Sequence, residues 1–363
     1  MANNTFLTGK RQHLPIVLFS LLCLLTLLYS CNGNSGSNGK GTPTDSITIP
    51  KDSVPVSPIQ PDSGVLTVAA INTSSDQNTV VSFYERESGY MLSKKDEKFD
   101  ANMKLLTAAL KTNSPIKITG DIRGGLFAVT MPGNEELSIY KRLHANDIKD
   151  LAIPRLIDVK KIDTGTFNRV EILKWPIFYR CTNVLPNYAK AKEIFDSCAA
   201  QSCNLGVPTS VTPCIPFQYV RDGCFARAHK MRYIIEQRFH YCSEKVFSYG
   251  INNSTTLAVR ANKWGGCCVT WWYHVAPLVR VKIQRGKFSL TLAYVIDPGM
   301  FNTPVLLSTW LNAQEDISCL AGAGVGSYSI QPSSVYFPNG TTDPNYILTN
   351  GHLVSYNIPN TCP

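Results

Sequence analysis

The chain has 363 residues, 44% of them apolar and 17% charged, with a formal net charge of +9. Such a length and apolar content exclude disorder of the whole chain and allow two domains with ordinary cores. The basic excess is spread without a long run and without interleaved aromatic residues, which argues against a nucleic-acid surface and leaves only a mild attraction for acidic proteins.

Residues 1–30 read as an export signal: Lys10 and Arg11 precede an apolar run from Leu14 to Leu28, and Tyr29-Ser30 sets a small residue before Cys31. The run is too short and one-sided for a membrane span. Leu28-Tyr29-Ser30-Cys31 resembles a bacterial lipoprotein cleavage box, apart from the bulk of Tyr29. On that reading Cys31 is the lipidated first residue and supplies an outer-membrane lipid anchor; a plain secretory signal cut nearby is the alternative. Either way the protein is exported from the bacterial cytoplasm, to the periplasm, the cell surface or, after processing, the medium.

Residues 31–64 are rich in Gly, Ser, Asn, Thr, Pro and Asp without apolar periodicity, the composition of a flexible linker. Beyond it Val80 to Tyr84, Ile116 to Thr119 and Leu126 to Thr130 have strand character. Asp100 is placed to cap a helix through Lys111 with Met103, Leu106 and Ala109 or Leu110 on one side, and a second helix is expected over Glu135 to Leu143. This half holds no cysteine and a single histidine, His144, on a surface helix, and shows no catalytic constellation. Ile153 to Tyr179, with Pro154 and Pro176, is a connector.

The second half begins at Cys181. Of 12 cysteines, Cys23 and Cys31 belong to the signal and the other ten lie at or after Cys181, so this half is stapled by disulfides and the first is not. Tyr188 to Ala199 reads as a helix. Cys203 and Cys214 bracket a Gly, Pro, Ser and Thr loop that a bridge could close, with Cys181 and Cys198 competing for the same partners. Paired Cys-x-x-Cys spacings are missing, so no zinc site is read.

Asp222-Gly223-Cys224 delivers a cysteine onto the first turn of a helix, where unpaired N–H groups and the dipole favour a thiolate. Cys224, Ala228, Met231, Ile235 and Phe239 recur at helical spacing and form a core face, while Arg227, Lys230, Glu236 and Arg238 fall elsewhere. A nucleophile and half of a disulfide are both open readings of Cys224. If it is free, nine cysteines remain of the ten, so a further thiol is free or pairs outside the chain. Adjacent Cys267 and Cys268 are the candidates, since direct neighbours close a strained ring.

A nucleophilic thiol needs a base. His229 is five residues along the same helix and points away from Cys224, which suits a structural role; His240 is a surface or turn residue. Cys268 to Ala276 is aromatic and β-branched and reads as a strand that contains His274, and Phe288 to Ile296 alternates as a second. A turn centred on Arg285-Gly286 would set His274 directly opposite Asp297 on one face, where the carboxylate could hold the imidazole. Pro277 interrupts the ladder unless that edge is exposed, and a buried structural His-Asp bond is the competing reading.

Asp222-Gly223-Cys224-Phe225-Ala226-Arg227-Ala228-His229-Lys230-Met231-Arg232, then Cys267-Cys268-Val269 with Trp271 and Tyr273-His274-Val275-Ala276, then Ile296-Asp297-Pro298 closely resemble the motifs of the secreted bacterial protein glutaminases, or protein-glutamine deamidases. Cys203, Cys214-Ile215-Pro216-Phe217 and Cys242-Ser243-Glu244-Lys245 extend the resemblance over about Leu185 to Trp310. It implies an α+β fold, with a transglutaminase-like, papain-related cysteine hydrolase core over residues 181–363 and a Cys-His-Asp triad at Cys224, His274 and Asp297. It also implies an autoinhibitory pro-region in cis, an α+β pro-domain over residues 65–180, most visible from Leu105 to Lys117, and a protease that removes it. Cys181 and Cys198 have no counterpart in the family pattern, Pro277 stands where an aliphatic residue is usual, and a lipid anchor departs from the norm.

The expected reaction is hydrolysis of the side-chain amide of glutamine in a protein or peptide, through a thioester on Cys224, with no metal or organic cofactor. Trp271, Trp272 and Tyr273 are candidates for the wall of the glutamine slot, though core packing fits them as well. A transglutaminase or a cysteine protease on the same core, and a disulfide-rich surface binding lipoprotein with Cys224 bridged, are the alternatives.

Overall fold

The computed structural model describes residues 63–73, 78–121, 124–144, 157–158, 183–206, 208–359 and 362. The export signal, Cys31, Cys181, nearly all of the linker and most of the connector lie outside the described residues.

The first half contains strands β1 (Ser63–Thr73), β2 (Asn78–Phe83) and β3 (Tyr90–Ser93), helix α1 (Phe99–Thr112), strands β4 (Pro115–Gly120) and β5 (Leu126–Thr130), and helix α2 (Asn134–Leu143). The strands form an antiparallel sheet in the order β3-β2-β1-β4-β5. Leu66, Val68, Phe83, Leu92, Leu106, Ile116 and Ile118 fill the space between this sheet and α1. Helix α1 starts one residue earlier than its expected cap: Asp100 lies inside the first turn, where its charge suits the dipole but its side chain caps nothing. Asn113, with φ of +50°, closes the helix in the left-handed region.

The second half adds β6 (Ile157–Asp158), α3 (Tyr188–Ala199), α4 (Cys224–Arg238), β7 (Glu244–Gly250), β8 (Leu257–Arg260), β9 (Cys268–Trp271), β10 (Tyr273–Arg285), β11 (Phe288–Val295), β12 (Val305–Leu306), α5 (Leu307–Asn312), β13 (Val325–Pro332) and α6 (Ile347–Ser355). A six-stranded antiparallel sheet runs β12-β11-β10-β7-β13-β6, and β8 pairs with β9 in a separate ribbon. Helix α4 packs against β10 and α6. The architecture is a mixture of helix and sheet, as expected.

Helix α4 differs from the amphipathic element read from its spacing. Cys224 to Met231 are all buried, Arg227, His229 and Lys230 included. The polar members survive burial because each is bonded: Lys230 Nζ donates to Thr212 O at 2.8 Å, and His229 Nδ1 meets Lys245 Nζ at 2.8 Å while Nε2 meets Asp343 O at 3.1 Å. His229 is structural, and His240 is exposed with φ of +55°.

The hairpin register also differs. Arg285 pairs with Phe288 and Leu278 with Val295, so the turn residues are Gly286 and Lys287. Gly286, with φ of +58°, takes the first turn position, where a type II′ hairpin requires it. His274 is therefore no cross-strand partner of Asp297; it pairs with Ser248 of β7. Pro277 is tolerated inside a central strand because pairing to β11 starts only at Leu278. The chain leaves the sheet after Val295, and Asp297 begins a turn whose carbonyl accepts from Phe301 N at 2.9 Å.

Disulfides join Cys203 to Cys214, Cys267 to Cys362 and Cys268 to Cys319. Cys242 is also disulfide-bonded. The first bridge closes the Gly, Pro, Ser and Thr loop, one of the pairings the sequence left open. The adjacent pair is not the mismatch: the two side chains leave the chain on opposite sides of a strand start, so each reaches a different partner. The further free thiol is Cys198, fully buried on α3.

Candidate active site

Gly223 sits at φ of +87°, and a Cβ there would lie 2.5 Å from the Tyr356 ring, so only glycine makes the turn into α4. Asp222 Oδ1 accepts from Gly223 N at 2.8 Å. Buried Arg227 reaches back one turn, and its Nη1 donates to Tyr219 O at 2.8 Å and to Asp222 O at 2.7 Å. These bonds fix Cys224 at the helix start, where its thiol is unbridged.

His274, on β10, presents its ring beside that thiol. Nε2 lies 2.9 Å from Asp297 Oδ2, and Trp310 Nε1 donates to the same oxygen at 2.9 Å. Trp271 and Trp310 stack on the imidazole with centroids 4.7 Å and 5.4 Å away, holding its plane and favouring its cation. Cys224 Sγ, a ring nitrogen of His274 and a carboxylate oxygen of Glu87 lie within 4.8 Å of one another.

Glu87 comes from the first half, on the β2–β3 turn Tyr84 to Gly89. Its Oε1 is 2.6 Å from His274 Nδ1, and its Oε2 accepts from Cys224 N at 3.1 Å, with Arg227 Nη2 at 3.8 Å. The flanking backbone is held as firmly: Trp272 Nε1 donates to Arg86 O at 2.6 Å, Tyr273 OH donates to Tyr84 O at 3.2 Å, and Ser88 Oγ donates to Arg221 O. Arg86 Nε lies 3.8 Å from Asp222 Oδ2, while Glu85 accepts from Thr67 N at 2.9 Å and Tyr140 OH at 2.8 Å. Glu85, Arg86 and Glu87 are all buried, a placement that only such complete pairing permits.

Electrostatics follow from this crowding. Burial opposes the His274 cation, but Glu87 and Asp297 outweigh it and raise its pKa from 6.5 to about 9. Burial likewise opposes ionisation of Asp297, yet bonds from His274 and Trp310 hold it below the usual carboxylate range. Burial and the Glu87 charge push the Cys224 thiol well above its ordinary value, and Arg227 only partly offsets them. The thiolate expected from the helix dipole is thus suppressed, first by burial and then by the Glu87 charge, which together outweigh a half charge at a helix end.

The structure brings Cys224, His274 and Asp297 together. Among the candidate wall residues, Trp271 stacks on His274 and donates to Val220 O at 3.1 Å, whereas Trp272 and Tyr273 contact the Tyr84 to Arg86 segment. A cavity of about 230 Å³ borders His274, Asp297, Trp271, Arg227, Phe217 and Trp264. Among the described residues, Glu87, Cys224 and His274 have spacing that could hold a metal ion. Without Glu87 only two of those donors would remain, fewer than the three protein ligands of a catalytic zinc site. Sequence reasoning missed Glu87, Asp222 and Trp310. The Glu85-Arg86-Glu87 triplet looks like a solvated turn, and nothing local reveals that a partner 135 residues or more away buries it.

Residues 191–314 match the model of a family described as Glutaminase, which sets the class. Pro-protein-glutaminase and a mutant of it, both known as crystal structures, are each 29% identical to this chain with a TM-score of 0.61; the match covers 82% of this chain and 93% and 94% of theirs. The NMR structure of protein-glutaminase from Chryseobacterium proteolyticum is 37% identical over 50% of this chain and 95% of its own, with a TM-score of 0.42. No curated protein matches the chain. The chain belongs to the protein glutaminases, and its likeness extends over the pro-form.

Proposed function

We propose that this chain is the precursor of an enzyme that hydrolyses the side-chain amide of protein-bound glutamine through a thioester on Cys224, and that residues 65–180 are the pro-region that blocks it. Family membership and the likeness to a pro-protein support deamidation and a precursor. The observation that carries the chemistry is the grouping of three side chains: an unbridged Cys224 at a helix start, a His274 ring nitrogen within 4.8 Å of its sulfur, and Asp297 on His274 Nε2.

In this mechanism His274 takes the thiol proton as Cys224 Sγ attacks the γ-carbonyl carbon, then returns it to the departing nitrogen, releasing ammonia. Water, activated by the same imidazole, cleaves the thioester to glutamate. Asp297 and Trp310 hold the ring and support its cation, and the Cys224 N–H is one donor to the oxyanion. A helix with its cysteine packed on the strand that bears the histidine favours a transglutaminase-like, papain-related reading of residues 181–363. The export signal, and a lipid on Cys31, belong to the same proposal for a protein that acts outside the cytoplasm after a protease removes the pro-region.

Incubating the proteolytically trimmed protein with casein tests it. Ammonia release without crosslinks or chain cleavage is expected; crosslinked products would indicate transglutamination, and fragments proteolysis.

A further inference from the structure

At the end remote from the reacting groups, the β10–β11 hairpin changes character. Ile283 pairs with Leu290, and Phe288, two residues from Leu290, projects on the same face of the ribbon; Lys282 with Thr291 and Gln284 with Ser289 occupy the other. Toward the core the first face is covered. Val281 is fully buried, and Tyr188 of α3 packs on Tyr294 with ring centroids 5.3 Å apart. Toward the turn the cover ends: Ile283 and Leu290 are half-buried, and Phe288 is 77% exposed. A ring at the end of a continuous apolar face is unlike a hydrophobic residue scattered singly on the surface.

The charge of the tip is one-sided. Val281 to Ile296 contain Lys282, Arg285 and Lys287 and no Asp or Glu. Lys282 and Lys287 are both exposed, whereas Arg280, just inside the tip, donates from Nε to Glu244 Oε2 at 2.8 Å. An apolar ring flanked by exposed ammonium groups suits the surface of an anionic bilayer, where the ring enters the headgroup and acyl boundary and the ammonium groups stay among the phosphates. A protein partner is a poorer fit. The tip is only two strands wide, and a stable interface needs roughly 800 Å² from each partner.

We infer that the tip of the β10–β11 hairpin is a membrane-contact site that lays Phe288 into the headgroup region of an anionic bilayer, with Lys282 and Lys287 among the phosphates. The inference rests on the proposed export and trimming and adds where the trimmed enzyme is held. Cys31 precedes residues 65–180, so the protease that removes them also parts the catalytic half from any lipid on Cys31. The hairpin belongs to the half that remains. From His274 to Arg285, β10 advances about 35 Å at roughly 3.3 Å per residue. A bilayer at the tip therefore leaves Cys224, His274 and Asp297 clear of it and open to protein substrates. The hold is weak and sensitive to salt, since one ring and a few cations fall short of a covalent lipid.

The chain from residue 32 onward keeps both halves and carries neither the signal nor a lipid. Its co-sedimentation with vesicles of phosphatidylglycerol and phosphatidylethanolamine tests the site, with phosphatidylcholine vesicles as the neutral control. Binding to the anionic vesicles alone, released by salt of about 1 M, is expected. Lys282→Gln combined with Lys287→Gln should lower the partition coefficient about thirtyfold, near fivefold for each charge. Phe288→Ala should lower it about tenfold. Phe288→Trp should keep it, and add tryptophan emission that shifts to the blue on the anionic vesicles. An absence of binding to those vesicles, or binding unchanged by the lysine and alanine substitutions, would overturn the inference; a hairpin that docks on a protein alone gives the first of these results. Casein deamidation after trimming should be the same in every variant, because Lys282, Lys287 and Phe288 lie far from the reacting groups. Lost vesicle binding with deamidation intact removes the membrane site alone, whereas failure of the natural chain to deamidate casein removes the proposed function.

Discussion

Glu87 and His274 stand 187 residues apart in the chain, and their side chains meet at 2.6 Å. Through that contact one carboxylate from the first half closes the imidazole, and its second oxygen closes the N–H of Cys224 at 3.1 Å. The same charge raises the His274 pKa and the Cys224 pKa together. A thiol and an imidazolium, rather than a thiolate and an imidazolium, are what the precursor keeps.

Thiol reactivity should report this suppression. Cys224 is expected to alkylate slowly in the full-length chain, and faster by at least an order of magnitude in the trimmed protein and in Glu87→Ala, since the thiolate is the reactive form. Mass spectrometry of the Cys224 peptide against time gives the rates. Equal rates in all three would count against shielding by Glu87.

Stability of the full-length chain should fall at alkaline pH. His274 holds its proton more tightly folded, near pKa 9, than at its ordinary 6.5. Its contribution is therefore complete below about pH 6.5 and is lost as pH rises through about 9, each pKa unit being worth about 1.4 kcal/mol. Melting temperatures followed from pH 6 to pH 10 (about the span that brackets both values) should drop more in the natural chain than in Glu87→Ala, where one of the two carboxylates is gone. A drop of the same size in both would contradict the assignment.

Asp297 should matter for rate more than for folding. Replacing it with Asn leaves the ring stacked between Trp271 and Trp310 but removes the charge that supports the cation, so kcat of the trimmed protein is expected to fall by about 10²–10⁴. Ammonia release measured across pH, beside a circular dichroism spectrum, distinguishes this from unfolding: the acidic limb, set by protonation of the His274 base, should move to lower pH.

Much of the grouping of Cys224, His274 and Asp297 was legible, for reasons tied to particular residues. Asp222-Gly223-Cys224 is a turn into a helix because only glycine reaches φ of +87° beside Tyr356, and that local demand is written in the sequence. Strand character of the segments around His274 and before Asp297 was equally plain from their β-branched and aromatic residues. Their register was not, because a two-residue turn can be set one position either way; the right pair of side chains was reached through a wrong cross-strand alignment. The environment of α4 stayed hidden too. Arg227, His229 and Lys230 look like a solvated face, and only tertiary partners such as Tyr219 O, Asp343 O and Thr212 O explain their burial. Glu87 was invisible for the same reason.

The bridges give a simple check. Among the described cysteines only Cys198 and Cys224 carry free thiols, so alkylation in denaturant without reductant should label those two and leave Cys203, Cys214, Cys242, Cys267, Cys268, Cys319 and Cys362 unlabelled. Separating Cys268 from Cys319 by a Ser substitution should cost about 2–4 kcal/mol in chemical denaturation. Label on Cys267 or Cys268 would contradict the pairing.

Acid quenching of the trimmed protein within the first turnovers on a glutamine-bearing peptide, followed by mass measurement of the Cys224 peptide, addresses the chemistry most directly. A γ-glutamyl adduct on Cys224 that forms with ammonia release, together with loss of both in Cys224→Ala, is the expected result. Deamidation that continues at an undiminished rate in Cys224→Ala would contradict it.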